Sequence, residues 1–173
     1  MQLTQIEKNG ITCAIVNSSE IVITDAQSAL DVLMSAKYDI GTKNIVIACG
    51  GGGIPVTRDK NGDLHGVSAV IDKDFASAKL AEVVGADYLF ILTAVDHVCI
   101  NFGTPEQEEL KTMSSGEAEM YIRSGQFGAG SMLPKVEAAV SFVKSGWGKR
   151  AVIASLEKAP QAMRNESGTL ITL

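Results

Sequence analysis

The stretch Asn44-Ile45-Val46-Ile47-Ala48-Cys49-Gly50-Gly51-Gly52-Gly53-Ile54-Pro55 decides how this chain is read. Its first half is a short apolar run of the kind that forms a buried strand. Its second half sets four glycines in a row at the strand's end. Glycine lets the backbone turn sharply and, lacking a side chain, lets bare N–H groups come close to an anion. Four glycines exceed what a tight turn needs, so the loop reads as a phosphate or carboxylate cradle. A plain strand-to-loop turn is the alternative. The loop is neither a GxxxxGK[ST] phosphate loop nor a GxGxxG fingerprint.

Outward from this stretch, strands and helices alternate. Residues 11–16 and 20–24 read as strands around an Asn17-Ser18-Ser19 turn. Asp25 is a credible cap for an amphipathic helix over 26–37, with Ala26, Ala29, Leu30, Leu33 and Met34 on one face. Beyond the glycines, 55–57 and 64–67 flank Asp59-Lys60-Asn61-Gly62-Asp63, where the Asn-Gly pair predicts a hairpin. A helix is expected over 74–84, with Ala76, Leu80, Val83 and Val84 inward. Tyr88 to Thr93 is a near-continuous apolar strand, the kind buried on both faces of a parallel sheet. Residues 95–102 read as a loop entering a short hairpin strand. Helices over 115–124, 135–144 and 157–163 and strands over 150–154 and 168–173 complete the pattern. The alternation predicts a three-layer α/β/α fold around a mainly parallel central sheet.

Composition narrows the function. Apolar residues make up 46% and charged residues 20% of 173, ordinary values for an α/β protein. The formal net charge of −5 supplies no basic footprint for nucleic acid. No apolar run reaches membrane-spanning length, and the first residues lack the charged-then-apolar design of a signal peptide, so a cytoplasmic location is expected. Cys13, Cys49 and Cys99 lack CxxC spacing and each lies in an apolar run, which reads as three small buried hydrophobes. No residue is assigned as a metal ligand.

Besides the glycine loop, three places carry chemistry. Asp72-Lys73-Asp74 opens the helix over 74–84. Asp74 as a cap beside a surface Lys73 is one reading. The other is a lysine held against phosphoryl oxygens and oriented by an aspartate, because phosphoryl transfer needs positive charge fixed where negative charge spreads. Leu92-Thr93-Ala94-Val95-Asp96-His97-Val98 follows the carboxyl end of a strand, where ligands collect in parallel sheets. Its backbone can line a purine pocket. His97 by itself is weak evidence for catalysis, and His65 reads as a surface residue. Finally, Gly128-Ala129-Gly130-Ser131-Met132-Leu133-Pro134-Lys135 runs from a glycine-rich loop into a helix. Proline is ordinary in a first helical turn. A lysine at the positive end of a helix is unfavourable unless an anion sits there.

Together these places resemble the carboxyl-terminal half of carbamate kinase, of the amino-acid kinase superfamily. The blocks are IVIACGGGGIPV (45–56), GVSAVIDKDFASAKLA (66–81), ILTAVDHVCINFGTPEQ (91–107), FGAGSMLPKVEAA (127–139), AVIASLEKA (151–159) and SGTLI (167–171). The resemblance implies a nucleotide-binding lobe that uses ADP or ATP with Mg²⁺, in a family that transfers phosphate between carbamoyl phosphate and ADP. By motif position it makes Lys73 and Lys135 the phosphate-facing lysines and Asp74 the residue that organises them. It sets Thr93, Val95, Asp96, Gly130 and Met132 beside the nucleotide, and Gly51 to Gly53 toward the substrate.

Family members are roughly twice this length. The Gly-Gly-Asn loop and second glycine loop of their amino-terminal half have no counterpart in these 173 residues. Residues 1–47 instead resemble the start of a small bacterial domain of unknown function (4180), through IEKNGI (6–11) and 18–47. The expected organisation is therefore a β-β-α segment over 1–47 joined to a kinase-like lobe over 48–173, a fusion or chimera completing one sheet. Catalysis is expected to be absent or weak. A non-catalytic recombined scaffold and a regulatory or interaction module are the alternatives, and homo-oligomerisation is open.

Overall fold

In the computed structural model, the described residues are 3–8, 11–16, 45–47, 56–70 and 72–173. The predicted strand 20–24, the helix 26–37 and the glycine loop lie outside them. The chain divides into two compact units, Met1–Val84 and Gly85–Leu173. The division falls at Gly85 rather than at residue 47, where the two resemblances meet.

In the first unit, β1 (Leu3–Lys8) pairs antiparallel with β2 (Ile11–Val16), and β3 (Ile45–Ile47) runs parallel to β2. β1 was not foreseen in the sequence. β4 (Val56–Arg58) and β5 (Leu64–Gly66) form the hairpin expected from Asn61-Gly62. Gly62 takes φ +92°, and the Asp59 carboxylate accepts the Asn61 and Asp63 amides at 2.8 and 3.0 Å.

Helix α1 spans Lys73–Val83. Its cap is Asp72, not Asp74: the Asp72 carboxylate accepts the Asp74 amide at 2.7 Å. An extended aspartate two residues before a first-turn amide is the geometry that satisfies an orphan donor. The inward face also differs from the expected one. Asp74, Ala78 and Ala81 are buried, whereas Ala76, Leu80, Val83 and Val84 are half-buried. The apolar spacing of α1 is weak, so the small residues, not the larger ones, take the tight side.

The second unit is a mixed α/β sandwich on a mainly parallel sheet. β6 (Tyr88–Thr93) lies parallel to β10 (Arg150–Ser155), β10 antiparallel to β11 (Thr169–Thr172), and β11 parallel to β9 (Thr112–Ser114). β7 (Val98–Ile100) and β8 (Glu108–Leu110) form a separate hairpin. Ala151 through Ser155 are buried in succession, which requires cover on both faces. On one face Val152 and Ala154 pack with Ala162 of α4 (Ala159–Met163), Phe90 and Leu170. α3 (Met132–Lys144) lies along β10, β11 and β6, burying Val136, Ala139, Val140 and Val143. α2 (Ser115–Arg123) packs on α3 and opens with a capping box between Ser114 and Glu117.

Two expectations need correction here. α3 begins at Met132, not Lys135, because Pro134 fits the first turn, where no intrahelical N–H bond is lost. β6 is not buried on both faces: Leu89 and Ile91 are buried, but Tyr88 and Leu92 are exposed. Fully two-sided burial belongs to β10.

Gly168 sets where β11 starts. Its φ is +91°, and a Cβ there would meet Val152 Cγ1 at 2.8 Å and the Ile153 carbonyl at 3.0 Å. Gly148 shares the positive φ, at +77°, but faces open space. Gly148→Ala therefore carries only backbone strain and is expected to lower stability by about 1 kcal/mol. Gly168→Ala adds overpacking and is expected to lose about 3 kcal/mol. Urea unfolding of the two variants measures the difference, and equal losses would mean that the approach at Gly168 is not tight.

Candidate functional site: a cavity at the carboxyl ends of β6 and β10

Parallel pairing of β6 with β10 aligns Thr93 with Ser155, so both strands end together. The Leu156 amide donates to the Thr93 carbonyl at 2.9 Å and extends the ladder one step past the strands. The chain then leaves β6 through residues 94–97 into the β7–β8 hairpin. Beside it, residues 126–131 lead into α3. Between these segments lies a cavity of about 350 Å³.

Four predicted site residues, Thr93, Val95, Met132 and Lys135, line this cavity. Its walls are mostly apolar, with Phe102 from the hairpin tip and Phe127 from the glycine-rich loop. Phe127 is buried and held edge-on to Tyr121, ring centroids 6.4 Å apart. Lys135 brings the ammonium. No acidic residue occupies the first turn of α3, and its cap residue Ser131 makes no side-chain cap bond. The amino end of this helix thus keeps its positive character at the cavity. Gln126 ties the walls together, its carbonyl Oε1 accepting the Asn101 amide of the hairpin loop at 2.8 Å.

Asp96 stands elsewhere. It lines an adjoining, wider cavity of about 800 Å³, with Gln107, Glu109 and Ser155. Its carboxylate accepts a hydrogen bond from Lys158 Nζ, which links the segment after β6 to the segment after β10. That bond, with help from the Ser155 hydroxyl, holds the Asp96 carboxyl below the usual range. Gly130 is exposed, and Gly128, two residues earlier, takes the place in the wall. Lys73 and Asp74 belong to the first unit, Lys73 exposed and Asp74 buried at the start of α1. Gly51, Gly52 and Gly53 lie outside the described residues.

Several lining residues escaped the sequence reading. Phe102, Gln126 and Phe127 were given no role, though Phe127 directly precedes the glycine-rich loop. Cys99 is not a fully buried hydrophobe: it is half-buried on the cavity wall, its thiol pushed up chiefly by burial and secondarily by Glu109. His97 Nδ1 lies 3.1 Å from Glu109 Oε2, ion-pair range, without the alignment of a hydrogen bond. Lys158 offered no local signal, since its partner is 62 positions away. Among the described residues, no group of three or more His, Cys, Asp or Glu is arranged to hold a metal ion, and no helix is long and apolar enough to cross a membrane.

The amino acid kinase family model matches residues 4–155. The chain belongs to this family. Among curated relatives, this family member is 62% identical to the carbamate kinase of Clostridium perfringens over 128 residues, 73% of this chain and 40% of that protein. It is 50% identical to the carbamate kinase of Thermoplasma acidophilum over 135 residues, 78% of this chain and 44% of the relative. Among solved structures, carbamate kinase from Giardia lamblia bound to AMP-PNP superposes with a TM-score of 0.72 at 34% identity, covering 99% of this chain and 52% of that one. The chain thus spans about two fifths of the length of the first curated relatives it matches.

The Asp96–Lys158 pair generates a pH prediction. A carboxylate whose native pKa is depressed adds stability above its unfolded pKa, about 4, and that contribution disappears as pH falls through the native value. Both side chains are substantially exposed, so the effect is small and salt-sensitive. Carbon-detected NMR titration is expected to find Asp96 titrating below ordinary aspartates, and Lys158→Met is expected to return it most of the way. An unchanged Asp96 midpoint in Lys158→Met would show that the pair does not persist in solution.

Proposed function

We propose that these residues form the nucleotide-holding lobe of a carbamate kinase-type phosphotransferase, seating ADP or ATP with its base in the cavity behind Lys135. One observation carries this: an apolar cavity, floored by the carboxyl end of a parallel strand, has an ammonium and a helix amino end without a side-chain cap in its wall. A purine fits the apolar, aromatic-lined interior, and polyphosphate fits the cationic side. The identity with carbamate kinases and the superposition on an AMP-PNP-bound relative support the same reading.

In this reading Thr93, Val95 and Met132 border the base, with Phe102 and Phe127 excluding water from its faces. Lys135 draws the phosphates to the amino end of α3. By its motif alone, Lys73 is a further phosphate-facing lysine with Asp74 as its organiser. Asp96, tied to Lys158, closes the adjoining cavity on the ribose or phosphate side. By motif alone, Gly130 belongs to the nucleotide side and Gly51 to Gly53 to the substrate side. Mg²⁺ would come with the polyphosphate, needing at most one or two carboxylates from the protein.

Alone, these 173 residues are expected to transfer phosphate poorly, because loss of even one donor to the developing charge typically reduces rate about 100- to 1,000-fold. A second reading keeps one observation in its favour. The identity with the two curated relatives extends over 128 and 135 residues, so about a quarter of the chain falls outside it. A non-catalytic fusion, with 1–47 of different origin, is the second reading that such a remainder would suit.

Titration calorimetry separates the two. Mg-ADP is expected to bind with a dissociation constant between micromolar and millimolar. Lys135→Ala is expected to weaken it about tenfold or more, the worth of one charge-assisted hydrogen bond. No binding at 10 mM Mg-ADP overturns the nucleotide reading and favours the fusion. A coupled assay for ATP from carbamoyl phosphate and ADP is expected to stay well below the roughly 1–100 s⁻¹ of ordinary kinases. Turnover within that range contradicts the expectation of poor transfer.

A further inference from the structure

The β7–β8 hairpin supplies Cys99 and leads to Phe102, so the shape of the cavity depends on where this hairpin sits. Val98 and Leu110 are its root, paired across the two strands. Neither strand joins the four-stranded sheet. What holds the root is a side chain from the far end of the chain. Thr169, fully buried at the start of β11 and opposite Ile153 of β10, points its hydroxyl at the root pair. The hydroxyl accepts the buried Val98 amide at 2.8 Å and donates to the Leu110 carbonyl. One O–H thereby serves both strands of the hairpin, using its single proton and one lone pair. The adjacent Leu170 amide reaches the Lys111 carbonyl at 3.0 Å, so the attachment continues into the β9–β11 pairing.

We infer that Thr169 is the positioning residue for the cavity wall: its hydroxyl pins the hairpin to the sheet and so fixes the aperture through which the nucleotide is held. It is not itself a lining residue and acts through Val98 and Leu110. The buried Val98 amide left without this hydroxyl has no partner where it sits, so the hairpin root must open to find one. Opening moves Cys99 and Phe102 while the sheet, held by β10 packing, stays. The effect on nucleotide rests on the reading proposed above; the hold on the hairpin does not.

Hydrogen exchange read by mass spectrometry on the full chain, with Mg-ADP calorimetry alongside, tests this. Thr169→Val keeps the shape and removes the hydroxyl. Exchange of the amides in 98–100 and 108–110 is expected to accelerate at least tenfold, and Mg-ADP to bind about tenfold more weakly. Ile171→Val, a buried change on the same strand away from the hairpin root, is expected to leave both near wild type. Thr169→Ser and Thr169→Ala both lose the methyl and differ only in the hydroxyl, so they decide the matter if the valine variant does not fold. The serine variant is expected to match wild type and the alanine variant to resemble valine. Hairpin exchange at the wild-type rate without the hydroxyl overturns the inference, as does a loosened hairpin with unchanged Mg-ADP affinity. If wild type binds no Mg-ADP, the nucleotide reading fails, and the exchange comparison alone decides whether Thr169 holds the wall.

Discussion

The site in the second unit depends on one backbone constraint, the parallel pairing of β6 with β10. Parallel strands end on the same side, and here Thr93 and Ser155 end in register. Everything that lines the two cavities leaves from or packs beside that shared edge. β10 can hold this central place because its residues are small or branched and buried on both faces, with α3 and α4 as cover. Had β10 run antiparallel to β6, the segments carrying Asp96 and Lys158 would emerge at opposite ends of the sheet, and the ion pair joining them would not form.

The fold was legible where local chemistry is strong. The Asn61-Gly62 hairpin and the buried strand over Arg150–Ser155 follow from turn residues and apolar runs. β1 was missed although Asn9-Gly10, the same signal as Asn61-Gly62, separates it from β2 in sequence. The inward face of α1 was misjudged because its apolar residues do not keep to one stripe, so tertiary packing chose alanines over larger side chains. The start of α3 was placed late, at Lys135, because the apolar spacing used to find it begins at Val136, beyond the first turn that holds Met132 to Pro134.

The site was legible in its cations and its glycine-rich loops, which stand out against an otherwise apolar background. Thr93, Val95, Met132 and Lys135 come from two separated motifs and meet at one cavity. What sequence could not reveal was the set of contacts made across long separations: Asp96 with Lys158, Asn101 with Gln126, and Val98 with Thr169. The partners lie 25 to 71 positions apart, and no spacing rule connects them. Phe102 and Phe127 were passed over for a different reason. An aromatic in a loop has no periodic partner to mark it, and Phe102 sits between two positive-φ residues, Asn101 at +51° and Gly103 at +77°.

Every residue that lines the smaller cavity lies between Thr93 and Lys135. A wall inherited as one unbroken run of sequence is seldom separated by genetic exchange, because few crossover points fall inside it. Lineages of this fold can therefore trade or remodel the segment before β6 while the pocket passes down intact, whereas the segment after Lys135 must keep β10 and Thr169.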